Sequence, residues 1–216
     1  MSDVRVEQLT VGPLEENCWL LTHPASKSAV LIDPGEEPER LLAAVDRSGC
    51  ALQAIWLTHA HFDHVGAVAA ILRERPVPVL MHALDEPLYA LASVSAAKWG
   101  LVVEQPTTAT EAIAEGDVLD CGGVAFAVWH VPGHAPGHVA FLGAGFCISG
   151  DVLFAGSIGR TDLPMCDPRA MQRSLERLAT LPPETQVLSG HGPATTIARE
   201  SAQNPFLRGL ARPIGA

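Results

Sequence analysis

Thr58-His59-Ala60-His61-Phe62-Asp63-His64 places three imidazoles and a carboxylate within six positions, directly after the apolar run Leu52-Gln53-Ala54-Ile55-Trp56-Leu57. Imidazole with carboxylate suits zinc, iron or manganese. A strand that delivers such a cluster to its C-terminal end puts it where α/β proteins keep their chemistry. One histidine after a strand is usually structural; a full His-x-His-x-Asp-His string in a chain with nine histidines reads as a metal-binding sequence.

Length and composition frame that reading. At 216 residues the chain reads as a single domain spanning 1–216, or one domain built from two similar halves. Apolar residues make up 48% of it and aromatics only 5%, so the core must rest on Leu, Val, Ala and Ile. A formal charge of -10 argues against nonspecific nucleic-acid binding, which needs clustered Lys and Arg. Residues 1–7 have neither a basic n-region nor an apolar h-region. No segment approaches the ~18 uninterrupted apolar residues of a membrane span. Cys18, Cys50, Cys121, Cys147 and Cys166 are odd in number and lack a Cys-x-x-Cys pair, so they read as reduced thiols of a cytoplasmic protein. The expected form is a monomer or small homo-oligomer acting on a small molecule, with no nucleic-acid or membrane partner.

Along the chain, residues 4–11, 18–22 and 29–32 read as strands, the last without alternation, as for a strand covered on both faces. A helix from Pro38 shows the apolar stripe Leu41, Leu42 and Val45, and Gly49 suits its left-handed end. Strand 52–57 leads into the histidine string. Helices are expected over 65–75 and 84–99, with a strand at 77–81 between them. The polar loop 105–110 is the candidate for a mobile cover over a site. The second half is β-rich again: 118–120, 124–131 and a hairpin of 139–143 with 146–149. Asp167-Pro168 then caps a helix with the stripe Met171, Leu175 and Leu178. A short strand at 186–188 and a closing helix at 194–203 end it. Strands and helices thus occur twice over, and two such halves packed sheet to sheet give an α/β four-layer αββα sandwich.

Two ions of about four ligands each need more donors than the string supplies. Three further places qualify, each at the end of a β-run: Pro132-Gly133-His134-Ala135-Pro136-Gly137-His138, Gly150-Asp151 and Gly190-His191-Gly192. Glycine there lets the backbone approach closely. With the string, and with Gly12-Pro13-Leu14-Glu15-Glu16-Asn17-Cys18, Asp33-Pro34-Gly35 and Gly159-Arg160-Thr161-Asp162, these segments resemble the metallo-β-lactamase superfamily over almost the whole chain. The resemblance is sharpest to its small glyoxalase II-like members, the hydroxyacylglutathione hydrolase group.

That resemblance implies two adjacent sites. His59, His61 and His134 would hold one metal, Asp63, His64 and His191 the other, and Asp151 would bridge both. Asp63 and Asp151 would be the catalytic carboxylates, and Arg160 the anchor for a glutathione carboxylate. His138 and Asp33 would support the ligands by hydrogen bonding. His23, His82 and His130 are read as surface, strand-end or core residues. The implied cofactor is two divalent ions, zinc first, with iron or manganese as alternatives. The implied reaction is hydrolysis of an S-2-hydroxyacylglutathione such as S-lactoylglutathione by metal-bound hydroxide. Only 25 residues follow His191, so the helical C-terminal domain of the longer glyoxalase II enzymes is expected to be absent. The rival within the superfamily is a persulfide dioxygenase with one iron at His59, His134 and Asp151; a β-lactamase fits the accessory motifs less well. The rival of another class is a noncatalytic binding protein on the same fold.

Overall fold

The computed structural model describes residues 4–215; Met1 to Asp3, part of the stretch read for a secretory signal, and Ala216, the last of the single-domain span, lie outside the described residues. The first half contains β1 (Arg5–Val11), β2 (Glu16–His23), β3 (Ser28–Ile32), α1 (Pro38–Ser48), β4 (Ala51–Trp56), α2 (Phe62–Val65), α3 (Val68–Glu74), β5 (Val79–His82), α4 (Glu86–Tyr89), α5 (Ala92–Ala97) and β6 (Glu111–Ile113). The second half contains β7 (Val118–Cys121), β8 (Val124–His130), β9 (Val139–Gly143), β10 (Phe146–Gly150), β11 (Leu153–Phe154), β12 (Ser157–Ile158), α6 (Pro168–Leu178), β13 (Gln186–Ser189), β14 (Thr195–Thr196) and α7 (Ile197–Gln203).

Two six-stranded sheets result, ordered β1-β2-β3-β4-β5-β6 and β14-β13-β10-β9-β8-β7, with β11 and β12 as a separate ribbon. Both sheets are mixed. In the first, β3 to β6 run parallel; in the second, only β10 and β13 do.

Three apolar layers show how the sheets stack. On β3, Ala29 and Leu31 join Leu41 of α1 and Val68 and Ile71 of α3 on the outer face. The alternate residues Val30 and Ile32 join Trp56, Phe126, Phe141 and Ile148 between the sheets. Met171, Leu175 and Leu178 of α6 and Ile197 of α7 cover the far face of the second sheet, over Ala140 and Cys147. Helices, sheet, sheet, helices: this is the αββα sandwich, and β3 runs continuously apolar because both its faces are covered. The helix ends follow their sequence signals. Gly49 takes φ 69° and closes α1, and the Asp167 carboxylate accepts the Arg169 and Ala170 backbone N–H groups ahead of Pro168.

Four expectations are corrected. The helix expected over 65–75 is two. The first, α2, starts at Phe62, and the chain breaks at Gly66–Ala67, where Ala67 N–H donates to Pro34 O at 3.0 Å. That bond draws the Asp33-Pro34-Gly35 turn against the chain so closely that a Cβ on Gly66 would collide with Gly35 O. The helix expected over 84–99 is a 3-10 turn followed by the short α4 and α5. The loop 105–110 is not a cover: Gln105 is fastened to Ser93 and to Tyr89 O, and the wall of the cavity described below is built by residues 87–99 instead. The closing helix begins at Ile197, because Thr195 and Thr196 first pair with β13. Among the described residues, no helix is long and apolar enough to cross a membrane.

Candidate metal centre

The histidine string leaves β4 through Thr58, which is fixed before any histidine is reached. Its N–H donates to Asp33 Oδ1 at 2.7 Å and its hydroxyl to Asp33 Oδ2 at 2.6 Å. A hydroxyl committed to a carboxylate can only accept from His59 Nδ1, 3.0 Å away, so Nδ1 carries the proton and Nε2 is bare. His61 caps α2, whose single turn holds Asp63 and His64. His64 Nδ1 lies 3.1 Å from Asp33 Oδ2, so it is protonated and His64 Nε2 points away.

Three loops of the second half close over the string. They are fastened to it and to one another by Val139 N–H to Thr58 O (2.8 Å), Gly190 N–H to Gly150 O (2.9 Å) and Asn17 N–H to Gly190 O (2.7 Å). His134 donates Nδ1–H to Arg160 O (2.8 Å) and His191 donates Nδ1–H to Leu14 O (3.1 Å). The loop bearing His191 is also fixed to β2, through the Asn17 amide to Ser189 O and Gly192 O and the Trp19 indole N–H to Ser189 O. Glycine is required at 190, where a Cβ would collide with Asp151 Oδ1. Asp151 N–H donates to His138 Nε2 at 3.0 Å, and the His138 ring stacks on that of His59 with centroids 4.7 Å apart.

The inward atoms fall into two sets. Ligand atoms of His59, His61 and His134 lie within 4.8 Å of one another, and so do those of Asp63, His64 and His191. His61 Nδ1 is 2.8 Å from His134 Nε2, and His191 Nε2 is 3.4 Å from Asp63 Oδ2. Asp151 stands between the sets, with Oδ1 3.5 Å from His64 Nε2 and Oδ2 3.5 Å from His134 Nε2 and 3.6 Å from His191 Nε2. His59 Nε2, His64 Nε2 and Asp151 Oδ1 are buried without a hydrogen-bond partner. Buried polar atoms left unpaired cost free energy, and bare imidazole nitrogens converging with carboxylates are what a divalent ion satisfies. The residues present therefore fit a dinuclear centre.

The two sets differ electrostatically. Burial, with the charge on His64, holds His59 well below the ordinary imidazole range. Burial and the neighbouring His134 bring His61 down to about 3, and burial lowers His134. At His64 burial works downward as well, but Asp151 and Asp63 outweigh it and lift the group well above that range. His191 is raised likewise, its hydrogen bond to Asp63 overcoming burial. Asp151 ends below the usual carboxylate range because His64 outweighs its burial.

A cavity of about 470 Å³ opens beside the centre, lined by His61, Asp63, His134, Asp151 and His191 among others. Arg160 lines it too, with Nε and Nη2 forked onto Asp162 at 2.9 and 3.0 Å. Cys18, Cys50, Cys121 and Cys147 are buried thiols, and Cys166 contacts His134 O through Sγ at 3.0 Å. His23 bonds Ser26, and His82 stacks on His130 at 4.4 Å, all three away from the centre.

Sequence reasoning missed Asp85. Wholly buried, it accepts Ala60 N–H on Oδ2 (3.0 Å) and Gly137 N–H on Oδ1 (2.5 Å). It thus ties the loop of His59 and His61 to the loop of His134. Burial pushes its carboxyl up to about 6, against those two bonds. Its partners are backbone groups 25 and 52 residues away, and no motif signals that.

The profile of the metallo-β-lactamase superfamily matches residues 11–191. The chain belongs to the metallo-β-lactamase superfamily. Within it, the hydroxyacylglutathione hydrolase GloC of Haemophilus influenzae is 34% identical over 209 residues, covering 94% of this chain and 98% of that protein. The crystal structure of TTHA1623 in a di-iron-bound form is 49% identical with a TM-score of 0.87, covering 93% of this chain and 100% of that one. The B3 metallo-β-lactamase BLEG-1 is 37% identical with a TM-score of 0.87, covering 94% and 99%. The chain thus resembles proteins of different named activities, and the two solved structures share its fold.

Proposed function

We propose that the protein is a metal-dependent hydrolase of glyoxalase II type, a thioesterase that cleaves S-2-hydroxyacylglutathione to glutathione and a 2-hydroxy acid. The observation that carries this reading is the convergence of six histidine and aspartate ligand groups in two adjacent sets with Asp151 between them, five of the seven residues lining one cavity. Among the described residues, no imidazole ring of the cavity is hydrogen-bonded to a serine or cysteine side chain, so no side-chain nucleophile is prepared. Near-full-length similarity to GloC supports the thioester over other acyl compounds.

His59, His61 and His134 would hold one ion and Asp63, His64 and His191 the other, with Asp151 available to both. Two divalent ions, zinc first, supply Lewis acidity toward the carbonyl oxygen and acidify water to a pKa of ~7. The protein's part is placement. Thr58 with Asp33, Arg160 O and Leu14 O hold Nδ1 of four imidazoles, so each Nε2 faces the centre without rearrangement. Asp63, lowered by His64 and His191 despite its burial, stays ionised and accepts a hydrogen bond from the attacking water at Oδ2. Arg160 holds a glutathione carboxylate. The leaving thiolate, with a parent pKa of ~8.5, needs little help from an acid.

Metal analysis beside a thioester assay tests this. Two ions per chain and release of glutathione from S-lactoylglutathione are expected. One iron per chain with oxygen uptake on glutathione persulfide would replace the reading with a dioxygenase. Turnover of nitrocefin alone would replace it with a β-lactamase, and no turnover of any of these by metal-loaded protein would leave a binding protein.

A further inference from the structure

We infer that the cleft selects an acyl group with a bulky, aromatic-sized apolar body over a compact hydroxyacyl group, and that Leu91 and Trp99 make the selection; this rests on the thioesterase reading above. Leu91 and Trp99 flank α5 and are 52% and 54% exposed. Both line the cavity beside the centre, as do Leu14 and Met165, 37% and 48% exposed. Large apolar side chains left in water singly are unremarkable; four gathered at the mouth of one cleft mark a surface that an apolar ligand covers.

The surface is continuous with the chemistry. Phe62, next to Asp63 in sequence, has its ring 6.5 Å from that of Trp99, so an aromatic floor runs from the metal centre to the α5 wall. Beyond the proposed metal ligands, the polar side chains on the cavity lining are only Ser95, Lys98 and Arg160. The Arg160 guanidinium lies 5.8 Å from the Trp99 ring centroid with two donors already committed to Asp162. Cations suit the carboxylates of the thiol part. Little is left to hydrogen-bond the 2-hydroxyl of a small acyl group, whereas a ring or branched chain finds a matching wall.

Binding without turnover isolates the claim. S-Benzylglutathione and S-methylglutathione are thioethers that no hydrolase cleaves, and titration calorimetry on the metal-loaded protein compares them. The benzyl compound is expected to bind about tenfold tighter, as one apolar pocket contact is worth in discrimination. The same factor is expected in kcat/KM for S-phenylacetylglutathione over S-lactoylglutathione. Trp99→Ala and Leu91→Ala, each at a half-exposed position, are expected to erase both preferences. Equal affinities for the two thioethers, or a benzyl preference that survives both substitutions, overturn the inference. Cleavage of neither thioester overturns the thioesterase reading instead, a different result in a different assay.

Discussion

The two donor sets sit side by side yet in opposite electrostatic surroundings. His59, His61 and His134 are buried among one another, so each is held neutral. His64 and His191 face Asp63 and Asp151, which hold protons on them when no ion is present. Protonation of His64 and His191 competes with a cation for the second set, while the histidines of the first are held neutral. Three imidazoles with a shared carboxylate also offer less negative charge than two imidazoles, Asp63 and the same carboxylate. Near-identical residue types thus build one site open to an ion at any moderate pH and another whose loading is proton-linked.

The most damaging change to this pair removes what it shares. Asp151→Ala is expected to lower bound metal from two ions to fewer than one and to cut turnover by more than ~100-fold, beyond the loss typical of an outer partner; element analysis and the thioester assay read it. Next comes pH. As pH falls from 7.5 to 5.5, protons compete with an ion at the raised His64 and His191 but not at His61, which is held down to about 3. Element analysis after equilibration at each pH should therefore show the Asp63–His64–His191 ion leaving first. Simultaneous loss of both ions would erase the distinction between the sets. Asp33→Asn sharpens it, because Asp33 orients His64 directly but His59 only through Thr58. About 10- to 100-fold weaker binding is expected at the second set, with a smaller loss at the first, in a metal titration.

The smallest effect concerns Asp85, which both sets share at a distance. Its folded pKa of about 6 lies above the ordinary 3.8, so the folded state favours its protonated form. Above pH 6 its ionisation opposes folding; as pH falls toward 4 that penalty fades, a change of about 2 to 3 kcal/mol at most. Urea unfolding of the metal-free protein at pH 7.5 and 5 should show this gain as one component of the pH dependence, and Asp85→Asn should lack it.

Much of this arrangement was legible in the chain. The run 29–32 reveals a strand covered on both faces, 52–57 the strand that leads into the string, and the helix stripes at Leu41 and Met171 the outer layers. The string 58–64 is contiguous, so its donor types and spacing speak without a structure. His134, Asp151 and His191 needed the glycine-marked strand ends and the family resemblance to be grouped with it. What stayed hidden depends on tertiary contact. The break at Gly66 follows from the approach of Gly35, the cavity wall of residues 87–99 from two short helices that periodicity merges into one, and the Asp85 tie from backbone groups with no side-chain signature.

The fastening of the His191 loop by Asn17 and Trp19 also bears on how the chain acquires its ions. The donors run from position 59 to 191, and the last is held in place by a strand that begins at Glu16. Neither half can close the centre alone, and both sheets must be docked before the final imidazole is positioned. Contacts so far apart in sequence form slowly. Under the proposed ligand assignment ion capture is then a late event in folding, and a second ion would report the finished molecule rather than any fragment of it.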